Sequence, residues 1–533
     1  MRPTRRQLLR WAAAGAAAWS TPGCPSPRRT ARKPSRVLGR IHGQNARFGH
    51  ILREGGLGPP PKGALESASV VVVGAGVAGL ACAWRLRRAG VEGVLVLEAG
   101  ETPGGNARWG ENEITRYPWG AHYLRAPTRE HPALERFLTE VRLVRGRDAQ
   151  GRIDWDTRAV CADPLERLLE KGIWRQGLLP RDADPEEVRR FEEFVESFAR
   201  RRGRDGRRAF ALPLAASSRD EDLLALDRRS FADWLDEKGF RSPGLLWYLE
   251  YACRDDYGCT LATTSAWAGL HYFAARADEG PDREVILAWP EGNGRLVQYL
   301  LEAGQPRLRT GRLCYRLLPE RGEAWVVSAD GGARSRCRGE QLVFAGPSFL
   351  LGRLLPEPPP GLEDFTYAPW LVANVTLARP PGGVGAPLAW DNVFRASRSL
   401  GYVVANRGAR GPTVVTWYLP LTGDPREERR RLLALDHATA ARLVVDDLLA
   451  AHPSLADAVR AVDVWRWGHA MIRPVPGFIW GEARRLAASH EGPLVRAHSD
   501  LSGLSLFEEA FYRGVRAGEE VLRRRGVDFD SYL

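Results

Sequence analysis

The first 53 residues contain no aspartate or glutamate, yet they carry twelve of the 77 lysines and arginines. All 65 acidic residues lie beyond that point, so the rest of the chain is neutral and the formal net charge of +12 belongs to one terminal stretch. A basic stripe on the folded body, the footprint of a nucleic-acid binder, is thereby excluded. The seven cysteines (24, 82, 161, 253, 259, 314 and 337) form no CxxC pair and show no zinc spacing, so no metal site is expected. The apolar run near the start, WAAAGAAAW, is too short to span a bilayer. No internal repeat is present, and low complexity is confined to PEPPPG at 356–361. What remains is a chain of 533 residues, 44% hydrophobic, able to bury a large core in two to four domains.

The basic stretch has its own grammar. Paired arginines in TRRQLLR (4–10), the short apolar run and STPGC resemble a twin-arginine export signal over residues 1–23. The resemblance implies the twin-arginine machinery as a partner and a location outside the cytoplasmic membrane, periplasmic or membrane-anchored. The plainer reading is an arginine-rich start in an arginine-heavy chain. Cys24 offers a lipidation site and with it a membrane tether, although Thr21 and Pro22 depart from the Leu and small residue preferred there. Residues 24–65, rich in Pro, Gly and Arg, read as a linker or an arm laid over the body. Cys253 and Cys259 are close enough in sequence to pair in an oxidising compartment, whereas Cys82 and Cys314 fall in core-like runs and read as buried thiols.

Order is expected from Ser69. A continuous apolar strand (69–73), a helix (77–89) and a second strand (94–97) make a βαβ start, which implies a parallel sheet. Further on, 185–202 and 231–240 have helical spacing, and AWVVSADGG (324–332) ends on a hairpin signal. The segments 370–378, 400–407 and 413–421 alternate and are β-branched, as strands of an antiparallel sheet are; 430–452 reads as one long helix.

The junction at residue 74 carries the chemistry. Gly74 permits a turn, Gly76 lets backbone approach a pyrophosphate, and Gly79 lets helix and strand pack, with Ala78 in the first helical turn. The helix start presents unpaired NH groups and a positive dipole end to phosphate. Glu98 ends the second strand, where an acid grips ribose hydroxyls and repels a 2′-phosphate, so NADP is disfavoured. The bland alternative is a glycine turn that merely packs a helix.

NAD and FAD share this fingerprint, and residues outside it separate them. After Glu98 comes AGETPGGNAR, in which Gly104 and Gly105 form a second turn and Arg108 can pair phosphate. Here the chain resembles the flavin amine oxidase and phytoene desaturase superfamily, whose ribose acid continues into a GG-x-x-R segment. The likeness recurs in YPWGAHYL (117–124), with Gly120 and Ala121 beside the flavin ring. It returns in WPEGNGRLVQYLLEAG (289–304), in TGRLCYRL (310–317), where Cys314 meets adenine, and in QLVFAGPSFLLGRLL (341–355), with Gly346 beneath the cofactor. It ends in HSDLSGLSLFEEAFYRGVRAGEEVLRR, where Asp500 would bind ribityl or pyrophosphate and the backbone at Leu506 and Phe507 would face the flavin pyrimidine. Glu509 departs from the family's glycine, which bears on how closely that helix approaches. The resemblance implies FAD as the cofactor. The fold it implies is α/β, a Rossmann-type FAD-binding domain (66–126, 286–365 and 456–533) interleaved with an α+β substrate domain (127–285 and 366–455) built on an antiparallel sheet.

Flavin carries the redox step, so the protein must orient a substrate and tune its surroundings. Amine oxidases of this superfamily commonly place a lysine near the flavin, yet this chain has only Lys33, Lys62, Lys171 and Lys238, none in its later cofactor segments. Arginine stays protonated and is no replacement base. In DVWRWGHAMIRPVPGF, Trp465 and Trp467 can wall an amine pocket while His469 and Arg473 polarise a substrate; equally, they are core aromatics and a satisfied histidine. His122 and Tyr123 are candidates for lining the site. Asp255 and Asp256, beside Tyr257, can hold a cationic amine or can simply cap a helix; Trp267, His271 and Tyr272 share a helical face that is more often core. The first hypothesis is an FAD-dependent dehydrogenase or oxidase passing hydride from an amine or amino-acid-like small molecule to flavin N5, and on to an unidentified electron acceptor. The second is a desaturase or isomerase of an apolar, isoprenoid-type substrate, and the third a flavoprotein that binds or transfers electrons without a substrate of its own. An amine site requires carboxylates and facing aromatics; the second requires an apolar tunnel.

Overall fold

The computed structural model describes residues 37–43, 46–277, 282, 284–329, 331–489 and 492–533. The export segment, Cys24 and everything up to residue 36 lie outside the described residues. The architecture is mixed α/β, organised on a seven-stranded and an eight-stranded sheet.

The arm is ordered where it is described. A short strand, β1 (Ile41–Gly43), and a helix, α1 (Ala46–Glu54), precede the body. β2 (Leu65–Val73) then runs into α2 (Val77–Arg88) and β3 (Val94–Leu97), and β2 and β3 pair in parallel from Val70↔Val94 to Val73↔Leu97. The four consecutive buried residues of β3 show why no alternation marks it: helices and strands cover both of its faces. The seven-stranded sheet also recruits Arg307–Arg309, parallel to β3, Arg334–Phe344, parallel to β2, and Leu494–Arg496, parallel to Arg334–Phe344; an antiparallel meander through Glu323–Ser328 and Arg312–Leu318 completes it. Strands more than 400 residues apart in sequence thus meet in one layer.

The eight-stranded sheet is mainly antiparallel and is built around β4 (Tyr367–Leu377), β5 (Thr413–Pro420) and β6 (Val459–Ile472). β4 lies between the other two. Its odd residues Leu371, Ala373 and Val375 face helices 425–434 and 437–451, while Trp370 and Val372 face the other core. Two expectations are corrected here. Residues 459–472, assigned from sequence to the FAD-binding domain, are the antiparallel partner of β4 in this second sheet, and their alternating burial places one face on each of the two cores beside it. The long helix expected over 430–452 is two helices: Asp436 accepts a hydrogen bond from Thr439 N at 2.7 Å and restarts the helix.

The last helix, α3 (Phe507–Arg524), packs along α2. Between them Arg85 and Glu519 form a buried ion pair at 3.1 Å, and Arg85 also donates to Asp530 O, so both charges keep partners out of water. Among the described residues, no helix is long and apolar enough to cross a membrane, and no cluster of His, Cys, Asp or Glu could hold a metal ion.

Candidate cofactor and substrate site

The glycine turn has the geometry its spacing requires. Gly74 turns with φ +114°, and a Cβ on Gly79 would sit 1.9 Å from Gly74 O. Gly76 caps α2, and the first helical bond runs from Leu80 N to Gly76 O at 3.0 Å. The amides of Val77, Ala78 and Gly79 therefore emerge at a bare helix end, an anion-receiving surface. The second turn is fastened to the first by Gly104 N donating to Ala75 O at 2.8 Å, and Gly104 and Gly105 both take positive φ.

Glu98 and Arg108 rim this cradle. The Glu98 carboxylate accepts from Ala75 N at 3.1 Å and from Gly100 N at 2.8 Å, and Arg108 reaches it at 3.3 Å. Arg108 also donates to Thr102 O at 3.0 Å, while its buried Nε has no hydrogen-bond partner among the described residues. Burial lowers the Arg108 pKa, with Glu98 opposing that trend. Gly120 and Ala121 pass beside the second turn, where Ala121 N donates to Asn106 O at 2.9 Å.

The C-terminal pieces close in from the other side. Ala345 N donates to Val73 O at 2.8 Å, which brings Gly346 level with the first turn. Asp500 is buried; its Oδ2 accepts from Ser348 N at 2.8 Å and from Tyr367 OH at 2.5 Å. Its Oδ1 lies 3.0 Å from His498 Nδ1, but that nitrogen accepts the Asp500 amide at 3.1 Å and in that tautomer has no proton to give. Burial pushes the Asp500 pKa up; with His498 protonated, its charge together with the Tyr367 and Ser348 hydrogen bonds holds it below the usual carboxylate range. Leu506 caps α3, and Phe507 is buried against Phe511 at 6.2 Å. Glu509, at the family's glycine position, turns away to accept from Leu214 N at 2.5 Å, so the added side chain is housed in the neighbouring 212–216 loop. The Cys314 thiol packs in the core with Val73, Leu97 and Leu317, and burial raises its pKa to about 12.

Beyond Ala121 an aromatic wall begins. His122 lies 4.9 Å from Tyr418, 5.2 Å from Tyr123 and 5.5 Å from Trp390, ring centre to ring centre. Tyr123 meets Trp390 edge-on at 5.8 Å, and Trp370 meets Tyr418 at 6.4 Å. Tyr418 OH donates to Gly120 O at 3.0 Å, which ties the wall to the strand beside the glycine turns. Burial lowers the His122 pKa to about 4, leaving an uncharged imidazole. Tyr123, Tyr251 and Tyr418 have pKa values raised well above 10, first by burial and then by the negative charge of Asp255 with Asp256 or Asp391. Asp255, Asp256 and Asp391 thus lie near the wall, and Asp256 pairs with Arg276 at 2.8 Å.

The sequence candidates divide accordingly. His122 and Tyr123 stand together in the wall. Trp467 is stacked on Trp465 at 5.0 Å and donates to Trp119 O at 2.6 Å, a core role behind it. His469 is apart from His122, stacked on Phe349 at 4.2 Å with its pKa lowered to about 3 by burial. Arg473 lies beside Cys259, and its backbone N donates to Thr366 O at 2.9 Å. Tyr257 is buried and donates to Ala268 O, while Trp267 and His271 stack at 4.8 Å in the core of the helical region. Cys253 and Cys259 are free and buried rather than bonded. Trp390, Tyr418, Tyr251, Asp391 and Arg276 were not singled out from sequence. The only signal for the three aromatics was ring content in segments that also read as ordinary strands and helices, and Asp391 and Arg276 had none.

The NAD(P)-binding Rossmann-like domain family matches residues 72–141. No curated protein matches the chain. Among solved structures, a redesigned putrescine oxidase superposes with a TM-score of 0.63 at 14% identity, over 86% of this chain and 100% of that one. Cyclohexylamine oxidase from Brevibacterium oxydans gives 0.62 at 15% identity over 86% and 100%, and a fatty acid isomerase from P. acnes gives 0.59 at 14% over 86% and 98%. At these identities the likeness is one of fold.

Proposed function

We propose that the chain is an FAD-dependent oxidoreductase acting on an amine or amino-acid-like substrate. The residues present fit the cofactor. The glycine cradle leaves no room for a Cβ at Gly79, the α2 amides are open, Arg108 Nε is buried without a partner, and Asp500 Oδ1 lacks a donor. The α2 amides and Arg108 would hold the pyrophosphate, Glu98 the ribose, and Asp500 a hydroxyl of the ribityl chain. FAD, when bound, supplies a two-electron acceptor for hydride at its N5.

The observation that carries the substrate class is the wall of His122, Tyr123, Trp390 and Tyr418 in the field of Asp255 and Asp391. Aromatic faces and nearby carboxylates favour a cation, and cation–π contact contributes about 0.5–2 kcal/mol. The uncharged imidazole of His122 adds an acceptor for a substrate N–H without repelling it. The wall orients the substrate carbon and excludes water, and the tyrosines stay protonated as neutral donors.

A desaturase or isomerase of an apolar substrate is the second reading, favoured by the scarcity of lysine. Lys171 and Lys238, the lysines nearest in sequence to the substrate elements, lie on a turn and at a helix end. Export by the twin-arginine route, a tether through Cys24 and transfer to an external electron acceptor complete the proposal. The test is anaerobic: mature protein is loaded with FAD and offered amines, amino acids and polyenes. Bleaching of the flavin by amines supports the first reading, and bleaching by polyenes alone removes it.

A further inference from the structure

The arm carries a role that the glycine fingerprint does not assign. β1 adds in parallel to the edge of β6, with Ile41↔Val464 and His42↔Trp465 in register and Val464 N donating to Arg40 O at 2.9 Å. His42 lies 4.8 Å from Trp119 and stacks over Trp465 at 6.1 Å, with Asp463 at 3.4 Å. Both tryptophans adjoin Arg108: the guanidinium lies 5.4 Å from the Trp465 ring, and the Trp119 backbone N donates to Arg108 O at 2.9 Å.

The second anchor is α1. Phe48 is buried with Leu313, Tyr315 and Val327, and the same cluster takes in Ala99, the residue after Glu98. Arg312 N donates to Glu98 O at 2.8 Å, so this cluster flanks the acid. Arg108 and Glu98, 3.3 Å apart, rim the cradle. One anchor of the arm therefore rests beside the arginine and the other beside the acid.

We propose that residues 37–43 and 46–54, which hold β1 and α1, act as a retaining strap along the rim of the dinucleotide cradle, and that the dinucleotide leaves only after the strap lifts. The proposal rests on the FAD reading above. β1 is short, and Leu38 and Arg40 beside it are exposed. Such an edge element opens locally at far lower cost than the central strands of the sheet that it extends. The strap is therefore a gate on cofactor residence rather than part of the core.

The test uses the full chain loaded with FAD. Release is followed by the rise of flavin fluorescence after dilution, for the native sequence and for His42→Ala combined with Phe48→Ala. The strap predicts release at least tenfold faster from the double variant. It also predicts that FAD slows trypsin cleavage of the native chain after Arg40 and Arg53 by tenfold or more, a readout that stands if the variant fails to fold. Equal release rates from a folded variant, or cleavage indifferent to FAD, overturn the strap and leave the FAD reading intact. A native chain that takes up no FAD overturns both.

Discussion

The dinucleotide cradle and the aromatic wall lie side by side, joined at Gly120, yet they are built in opposite ways. The cradle's core is local: Gly74, Gly76, Gly79, Glu98, Gly104 and Arg108 fall within 35 residues, and backbone groups do most of its bonding. The wall is assembled from 122–123, 251, 390 and 418, and its properties come from side chains and burial. A site made of backbone tolerates almost no change in shape; a site made of rings tolerates substitution and loses affinity in small steps.

The largest effect should come from breaking the cradle. Gly79→Val places a Cβ 1.9 Å from Gly74 O, so we expect loss of FAD retention and a stability loss of about 3 kcal/mol or more, read from flavin content and denaturant midpoint. Retained flavin at native stoichiometry would show that the turn is not the cofactor cradle.

Behind the wall, Asp256→Asn strands a buried arginine. Removing one partner of a buried ion pair costs about 3 kcal/mol, so the melting temperature should fall while the flavin spectrum of the remaining folded protein is unchanged. A change in flavin spectrum without a change in melting would place Asp256 in the cofactor site instead.

Much of the cradle was legible in sequence for the reason just given: strand, glycines, helix and acid follow one another, and their spacing is their geometry. The two-sheet class was legible too. The wall was not, because Tyr418 reaches His122 only through the long-range pairing of β4 and β5, and Trp390 only through backbone hydrogen bonds with Pro164 and Val404, so the face each occupies depends on register. The same blindness misplaced 459–472, whose likeness to a cofactor segment concealed its alternating burial. Asp436 was a missed stop signal rather than a hidden one. Cys253 and Cys259 looked pairable by spacing and share one core cluster at the end of a helix, yet both thiols are free.

Smaller effects sharpen the comparison. Trp390→Leu removes one ring face and should raise KM for a cationic amine several-fold, with little effect on FAD binding, since cation–π contact contributes about 0.5–2 kcal/mol. An equal rise for an uncharged analogue would assign Trp390 to packing alone.

The smallest effect concerns acid. His122 is held near 4 by burial against an ordinary 6.5, so between those values the unfolded chain binds a proton that the folded chain refuses. Stability from this group is present above pH 6.5 and is lost as pH falls toward 4, at no more than about 1.4 kcal/mol per pH unit. His131, His271, His452 and His469 act in the same direction, whereas burial raises Asp227 to about 6 and opposes them. His122→Phe should flatten the acid side of the stability curve slightly; an unchanged slope would mean the imidazole is not buried in solution.

The central claim is that these separated segments enclose one flavin dinucleotide. The direct measurement is the flavin released on denaturing the purified, folded protein after incubation with FAD and removal of the excess. The account predicts FAD close to one per chain. A well-folded protein that remains colourless and releases none would contradict it.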